Sequence, residues 1–280
     1  MIDTVLENKR CDIIVFLAGD SDLNMTEARF CIEKSDSVIA YKNDIPEIVG
    51  CGTFRLWGKN RDKADVYLYV SSAARMFGAG TMLLKALMND QKANALKFIS
   101  TKVETNHLKS LEFFQKAGFE PWYTEVIFCH NGIRQPENNL IFRNYQPEYF
   151  EQYVDAIRNS FYELRRSNDF QPYYCCEPDR AKQEELERNK DNIFVLFQDE
   201  KFVASVTIND NFIEDVFVAP DYQGKGIGKE MMCFAVNKVI DSANSPAKLS
   251  AIKWNSRALC LYQSVGFELS KTIHYLRLFQ

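Results

Sequence analysis

Three glycines, Gly224, Gly226 and Gly228, sit between two different hydrophobic patterns. Upstream, Phe212, Ile213, Val216, Phe217 and Val218 form a β-type apolar run that stops at Pro220-Asp221. Downstream, Met232, Ala235, Val236, Val239 and Ile240 fall on one face of an amphipathic helix. A strand therefore feeds a glycine turn that opens a helix. The first turn of a helix carries unpaired amide N–H groups and the positive end of the macrodipole, and glycines let that backbone approach a ligand closely. The chemistry this offers is an anion cradle, suited to a pyrophosphate. Two nucleotide motifs fail on spacing. A G-x-G-x-x-G fingerprint needs a third glycine where Lys229 stands, and a Walker loop needs Ser or Thr where Glu230 stands and Gly where Gln223 stands.

What fits is Q-x-x-G-x-G after a V-x-P strand end, followed downstream by NSRALCLYQSVGFE with Asn255, Ala258, Tyr262, Gly266 and Phe267. In these two blocks, in this order and separation, the chain resembles the GNAT superfamily of acyl-CoA-dependent N-acetyltransferases. Moving an acetyl group from a thioester to an amine needs a held cofactor, a neutral amine, a stabilised oxyanion and a proton for the departing thiolate. The resemblance implies acetyl-CoA as cosubstrate and no metal. It implies that Gln223, Gly224, Lys225, Gly226, Ile227, Gly228 and Lys229 hold the pyrophosphate. It implies that a splayed strand at Val216, Phe217 and Val218 meets the pantetheine and the thioester carbonyl, and that Asn255 contacts the cofactor arm. Glu214 takes the family position of the general base, acting through water, and Tyr262 that of the general acid facing the sulfur.

Each residue also has a plainer reading. Glu214 and its neighbour Asp215 are acids near a strand start, a common solvated pattern, and a β-bulge would exchange the faces they occupy. Tyr262 is also a candidate packed aromatic with a bonded hydroxyl. Lys225 and Lys229 have the default of solvated surface lysines. Cys233 and Cys260 lie on helical stretches without a neighbouring His, which points to core packing rather than an acyl-enzyme nucleophile. His107, His130 and His274 have no metal-ligand spacing and read as loop or surface residues.

The elements that must position these groups occur twice. ADVYLYVSSAARMFGAG repeats the strand, turn and glycine loop, and SLEFFQKAGFE repeats ALCLYQSVGFE. One offset of 148 positions relates Arg75 to Gln223, Phe114 to Tyr262, Gly118 to Gly266 and Phe119 to Phe267. Two tandem copies follow, covering 1–135 and 136–280, with turn chemistry at Asn131, Gly132, Pro136, Asn138 and Asn139 between them. The resemblance implies an α/β (α+β) class in which each copy is a mixed, mostly antiparallel sheet flanked by helices. At the same offset, Glu214 falls on Val66 and Tyr262 on Phe114, and neither replacement moves a proton; Asp65 and Tyr67 stay open as substitutes. The C-terminal copy is thus expected to catalyse and the N-terminal copy to bind coenzyme A through Arg75, Gly78 and Gly80, or only to support the structure.

In the first copy, periodicity predicts a β-type run at Ile13–Leu17, a helical stretch near 22–34, strands at 38–42, 48–56, 65–70, 96–103 and 122–129, and helices after Gly80 and at 108–117. In the second it predicts a strand at 140–144, a helix at 148–166 striped by Tyr153, Ile157 and Phe161, and a solvated charged helix at 179–188. Strands at 193–198, 203–208 and 212–218 follow, then a helix at 227–242, a strand at 248–252, a helix at 257–265 and a strand at 272–278. Phe170, Tyr173 and Tyr174 are open between pocket lining and core.

With 280 residues the chain has ample material for buried cores, and a net charge of −4 carries no general attraction to nucleic acid. Eight cysteines without C-x-x-C spacing suggest reduced thiols in a cytosol. No apolar run is long enough for a bilayer, and no charged start with an apolar signal core precedes the first element. The expected partner is a small-molecule or peptide amine, with no nucleic acid or membrane, for a cytoplasmic monomer or homodimer. The alternative is a non-catalytic coenzyme A sensor or a protein-interaction scaffold.

Overall fold

The computed structural model describes residues 1–21, 23–44, 47–89, 96–137, 139–242 and 245–279. The first repeat contributes β1 (Ile2–Thr4), α1 (Arg10–Ala18), α2 (Met25–Glu33), β2 (Ser37–Lys42), β3 (Ile48–Trp57), β4 (Lys63–Val70), α3 (Ala79–Met88), β5 (Phe98–Glu104), α4 (Leu108–Lys116) and β6 (Glu120–His130). The second contributes β7 (Arg143–Asn144), α5 (Phe150–Ser167), α6 (Arg180–Arg188), β8 (Ile193–Gln198), β9 (Lys201–Asn209), β10 (Phe212–Val218), α7 (Ile227–Ser242), β11 (Lys248–Ile252), α8 (Ser256–Ser264) and β12 (Phe267–Phe279).

These elements form two compact units, Met1–Tyr123 with Ile273–Gln280, and Thr124–Thr272. The strand order is β1-β2-β3-β4-β5-β12 in the first and β6-β11-β10-β9-β8-β7 in the second. Each sheet is antiparallel apart from one parallel pair, β4–β5 or β10–β11. Each also closes on a strand borrowed from the other repeat. β5 pairs with the chain's last strand from Ile273↔Glu104 to Phe279↔Phe98, and β11 pairs with β6 from Lys248↔Cys129 to Ile252↔Glu125. The compact units therefore exchange the final strands of the 1–135 and 136–280 repeats.

Helices cover both faces of each sheet. In the first unit, α1 and α2 place Ile13, Leu17, Ala28 and Ile32 against Cys51 and Tyr69, while α3 and α4 place Leu83, Leu87 and Phe114 against Phe54, Val66 and Ile99. In the second, α5 and α6 carry Tyr153, Ile157 and Leu186 onto Phe202 and Phe217, and α7 packs Met232, Val236 and Val239 against Val206, Ile213 and Leu249.

Two sequence expectations fail. Ile13–Leu17 is helical: Ile13 and Leu17, four apart, are 1% and 0% exposed, whereas Val15 between them is 72% exposed. A strand would put all three on one face, so tertiary burial overrides β-branched propensity. Within 140–144 only Arg143 and Asn144 pair as a strand. Leu140 and Phe142 pack against the α7 core instead, Phe142 stacking on Phe234 at 4.4 Å.

Candidate active site

In the second unit, β10 and β11 pair only at Phe212↔Lys248 and Ile213↔Leu249, so the two parallel strands diverge beyond Ile213. The divergence coincides with a bulge on the other edge of β10. Glu214 pairs with Thr207 and Phe217 with Ser205, leaving Asp215 and Val216 opposite Val206 alone. Asp215 is the residue that turns the chain, with φ of +47°. The αL region is open to Asp because its short side chain tolerates it.

Past the divergence, the loop enters α7. Gly224 and Gly226 have φ of +75° and +86°, and a Cβ built on either meets no atom within 4 Å. Their glycine identity answers to backbone conformation and to open space, the geometry of a cradle. Among the described residues, the amides of Gly224, Lys225, Gly226, Ile227 and Gly228 make no internal hydrogen bond; the first bonded amides of the turn are Lys229 and Glu230, both to the Gly226 carbonyl. Five unpaired donors at a helix N-terminus are a donor set that fits a diphosphate. Gly228 has a different role: its Cβ would lie 3.4 Å from Leu261 and 3.8 Å from Val218, so α7, α8 and the end of β10 converge there.

Side chains lock the loop in place. Gln223 Nε2 donates to the Val218 carbonyl at 2.9 Å, and Arg257 Nη1 donates to Gln223 Oε1 at 3.0 Å. Ser160 Oγ also reaches the Val218 carbonyl, at 3.0 Å. Sequence reasoning missed Ser160 and Arg257. Ser160 belongs to no motif, and Arg257, though inside the NSRALCLYQSVGFE block, is not one of the residues that mark it; both act on the loop from helices remote in sequence. Asn255 caps α8, its Oδ1 accepting from the Ala258 amide at 3.3 Å, which leaves its Nδ2 to donate elsewhere. Lys225 and Lys229 are exposed and form no ion pair among the described residues, with Lys225 Nζ 5.1 Å from the centroid of the Tyr222 ring.

Tyr262 stands one residue beyond the Leu261 contact. Its ring packs against Phe128 and Phe267 at 6.3 and 6.2 Å, and burial pushes its hydroxyl up to about 12. The hydroxyl makes no hydrogen bond among the described residues, yet it is not one of the solvent-sealed polar atoms. It stays protonated at neutral pH and free to donate.

The face of β10 turned to α5 and α6 holds the acids. The Glu214 carboxylate accepts from Asn209 Nδ2. Asp215 is exposed to water, yet burial raises its pKa against the pull of Lys182, and Glu214 and Glu185 raise it further. α6 is solvated over most of its length, as expected, but it buries Leu186 at 2% exposure and brings Lys182 near Asp215, with Lys182 Nζ 2.8 Å from Glu185. Phe170 meets Trp254 at 5.9 Å, and Tyr162 stacks on Tyr174 at 4.8 Å. Tyr174 is 41% exposed and so is not a core residue.

The first unit keeps the cradle's backbone and changes its chemistry. Arg75 Nε donates to the Val70 carbonyl at 2.9 Å, the counterpart of the Gln223 bond, and Gly78 has φ of +84°. But Met76 occupies the left-handed position of Gly224, and Met76 and Phe77 are 87% and 82% exposed. β4 has no bulge: it pairs with β3 in unbroken register and with β5 through Asp65↔Ser100. Because the second unit carries one extra residue at its bulge, strand register places Tyr67, not Val66, opposite Glu214. Val66 corresponds to Ile213, and both are buried against the later helices. Burial drives the Tyr67 hydroxyl far above its ordinary value, and Tyr69 donates to Asp20 at 2.6 Å on the same face. Phe114 stacks edge-on between Phe113 and Phe119.

Two further residues depart from their sequence readings. His130 is 3% exposed rather than a surface residue, with Nε2 2.8 Å from the Val265 carbonyl and Nδ1 accepting from the Gly132 amide. Cys260 is exposed, whereas Cys233 is packed in the core. Among the described residues there is no His, Cys, Asp or Glu cluster that would hold a metal ion, and no helix long and apolar enough to cross a membrane.

Comparison with known proteins gives a consistent result. The profile of the acetyltransferase (GNAT) family matches twice, at residues 7–119 and 158–267. Thialysine N-epsilon-acetyltransferases from Bos taurus and Sus scrofa are 34% and 33% identical over 55 residues. Those stretches cover 20% of this chain and 32% of each relative, so the chain spans about a third of the length of these relatives. Among solved structures, a GCN5-related N-acetyltransferase from Sphaerobacter thermophilus superposes with a TM-score of 0.75 at 13% identity, covering 100% of this chain and 95% of that one. A tandem GNAT protein from the clavulanic acid biosynthesis pathway gives 0.67 at 13% identity, covering 100% and 98%. At such identities the likeness concerns the fold.

Proposed function

We propose that this chain, which belongs to the acetyltransferase (GNAT) family, transfers an acetyl group from acetyl-CoA to an amine by direct attack within a ternary complex, using its second unit. The observation that carries this reading is that the unpaired amides of Gly224–Gly228 open α7 next to the end of β10, beyond its divergence from β11, with α8, the helix that bears Tyr262, packed against Gly228 through Leu261. Bound acetyl-CoA supplies the activated acetyl group as a thioester. The amides from Gly224 to Gly228, with Lys225 and Lys229 beside them, would hold its diphosphate, and Asn255 Nδ2 would reach the arm. Val216 and Phe217, beyond the last pairing with β11, would meet the pantetheine and the thioester oxygen along that edge of β10. At Val218 the carbonyl is already engaged by Gln223 and Ser160. A carboxylate at the bulge, Glu214 or Asp215, takes the amine's proton, and Tyr262 donates one to the departing sulfur.

The first unit is proposed to be non-catalytic. Phe114 has no proton to give, and a half-buried Tyr67, its hydroxyl pushed far above its ordinary value, stands where the second unit has the exposed Glu214 carboxylate. The alternative of a coenzyme A sensor or scaffold makes a different forecast. Titration calorimetry with acetyl-CoA and a thiol-release assay with a panel of amines separate the two. Binding with amine-dependent release supports transfer; binding without release for any amine supports a sensor, and no binding a scaffold.

A further inference from the structure

The bulge of β10 assigns different work to its two carboxylates, and we propose that Asp215, rather than Glu214, contacts the acceptor ammonium and receives its proton; this rests on the acetyl-transfer reading above. Glu214 takes the family position of the base, but here its carboxylate is held by Asn209 at the β9–β10 hairpin, the end of the strand remote from the glycine loop. Asp215 lies one residue further along, where β10 has parted from β11. On an unbroken strand it would face opposite to Glu214. Its left-handed backbone turns it toward α5 and α6 instead.

The groups around it are Tyr153 from α5, Lys182 and Glu185 from α6, Cys175 and Cys176 from the preceding segment, and Glu214 from its own strand. Lys182 is paired with Glu185, and Asp215, which is exposed, forms no ion pair among the described residues. The Thr207 hydroxyl, paired in register with Glu214, is buried without a partner; Thr207 is 5% exposed. Desolvation that raises the Asp215 pKa makes it a stronger base than a solvated carboxylate.

One N–H proton of the ammonium passes to Asp215 Oδ, directly or through one water. The freed lone pair attacks the thioester carbon, a C–N bond forms and the C–S bond breaks. Tyr262 protonates the departing thiolate, the new amide nitrogen gives up its surplus proton to restore the tyrosine, and Asp215 returns its proton to solvent. Ammonium and thioester become amide, thiol and one released proton.

The test measures kcat/KM against pH for the full chain, with n-butylamine and 1,4-diaminobutane as probe amines, for wild type, Asp215→Asn and Glu214→Gln. Asn tolerates left-handed backbone, so the bulge survives the first substitution. Asp215→Asn should lower kcat/KM roughly 100-fold at neutral pH. Its deficit should shrink as pH rises and solution supplies neutral amine, while acetyl-CoA binding by calorimetry stays within about threefold. Glu214→Gln should lose at least about tenfold less and keep the wild-type pH profile. A larger loss in Glu214→Gln, or equal losses in both, overturns the assignment to Asp215 and leaves acetyl transfer standing. No thiol release by wild type with either probe overturns both.

Discussion

Tyr262 and Phe114 occupy equivalent packed positions, which makes their single difference, one hydroxyl, a clean comparison. Tyr262→Phe should reduce kcat roughly 100-fold or more while the acetyl-CoA dissociation constant moves less than threefold; Phe114→Ala should cost about 3–5 kcal/mol in urea denaturation and leave the turnover of folded protein unchanged. Because burial holds the Tyr262 hydroxyl up to about 12, no alkaline loss of kcat from this group is expected below about pH 10. The sign for Asp215 is the reverse of that for a salt-bridged carboxylate. Its folded pKa lies above the unfolded value, so ionisation is disfavoured in the native state above the ordinary carboxylate range and neutral below it. Asp215→Asn should therefore raise the melting temperature at pH 7, with the gain disappearing towards pH 3. That outcome would mark Asp215 as a residue kept at some cost in stability. Gly226→Ala, at φ of +86°, should cost about 1–2 kcal/mol through backbone strain and weaken acetyl-CoA binding, as read by calorimetry.

The bulge is the element on which sequence and structure part. Strand, glycine turn and following helix were legible at 212–242 because each obeys its own periodicity, and Ile227–Ser242 is helical over the span expected. A bulge leaves no periodic trace. It inserts one residue, so a fixed offset of 148 stays correct after Asp215 and slips by one before it, and only strand pairing shows that Tyr67 stands opposite Glu214. The same limit explains α1, where five consecutive apolar residues satisfy strand and helix templates alike. A direct check compares two substitutions there. Leu17→Ala should destabilise by about 2–5 kcal/mol and Val15→Ala by less than about 0.5 kcal/mol in chemical denaturation. Equal losses would argue for a strand.

At the scale of the molecule, duplication was readable from two repeated blocks, but the exchange of final strands was not, because pairing partners lie more than 100 positions apart and carry no local signature. The exchange has a consequence for dissection. A fragment of residues 136–280 lacks the β6 segment that pairs with β11, and a fragment of residues 1–135 lacks the β12 partner of β5. Either fragment alone would expose an unpaired inner strand and is expected to be insoluble; co-expressed, the two should recover a soluble complex that co-purifies. Soluble, folded single fragments would argue against the exchange. Acetyl-CoA binding is thus best assigned to a unit within the intact chain, and the most direct measurement is a crystal structure of the full protein soaked with acetyl-CoA. The account predicts its diphosphate on the amides of Gly224–Gly228 and its sulfur within about 4 Å of the Tyr262 hydroxyl; a diphosphate held only by Arg75–Gly80, or a sulfur in a cavity that Tyr262 does not reach, would contradict it.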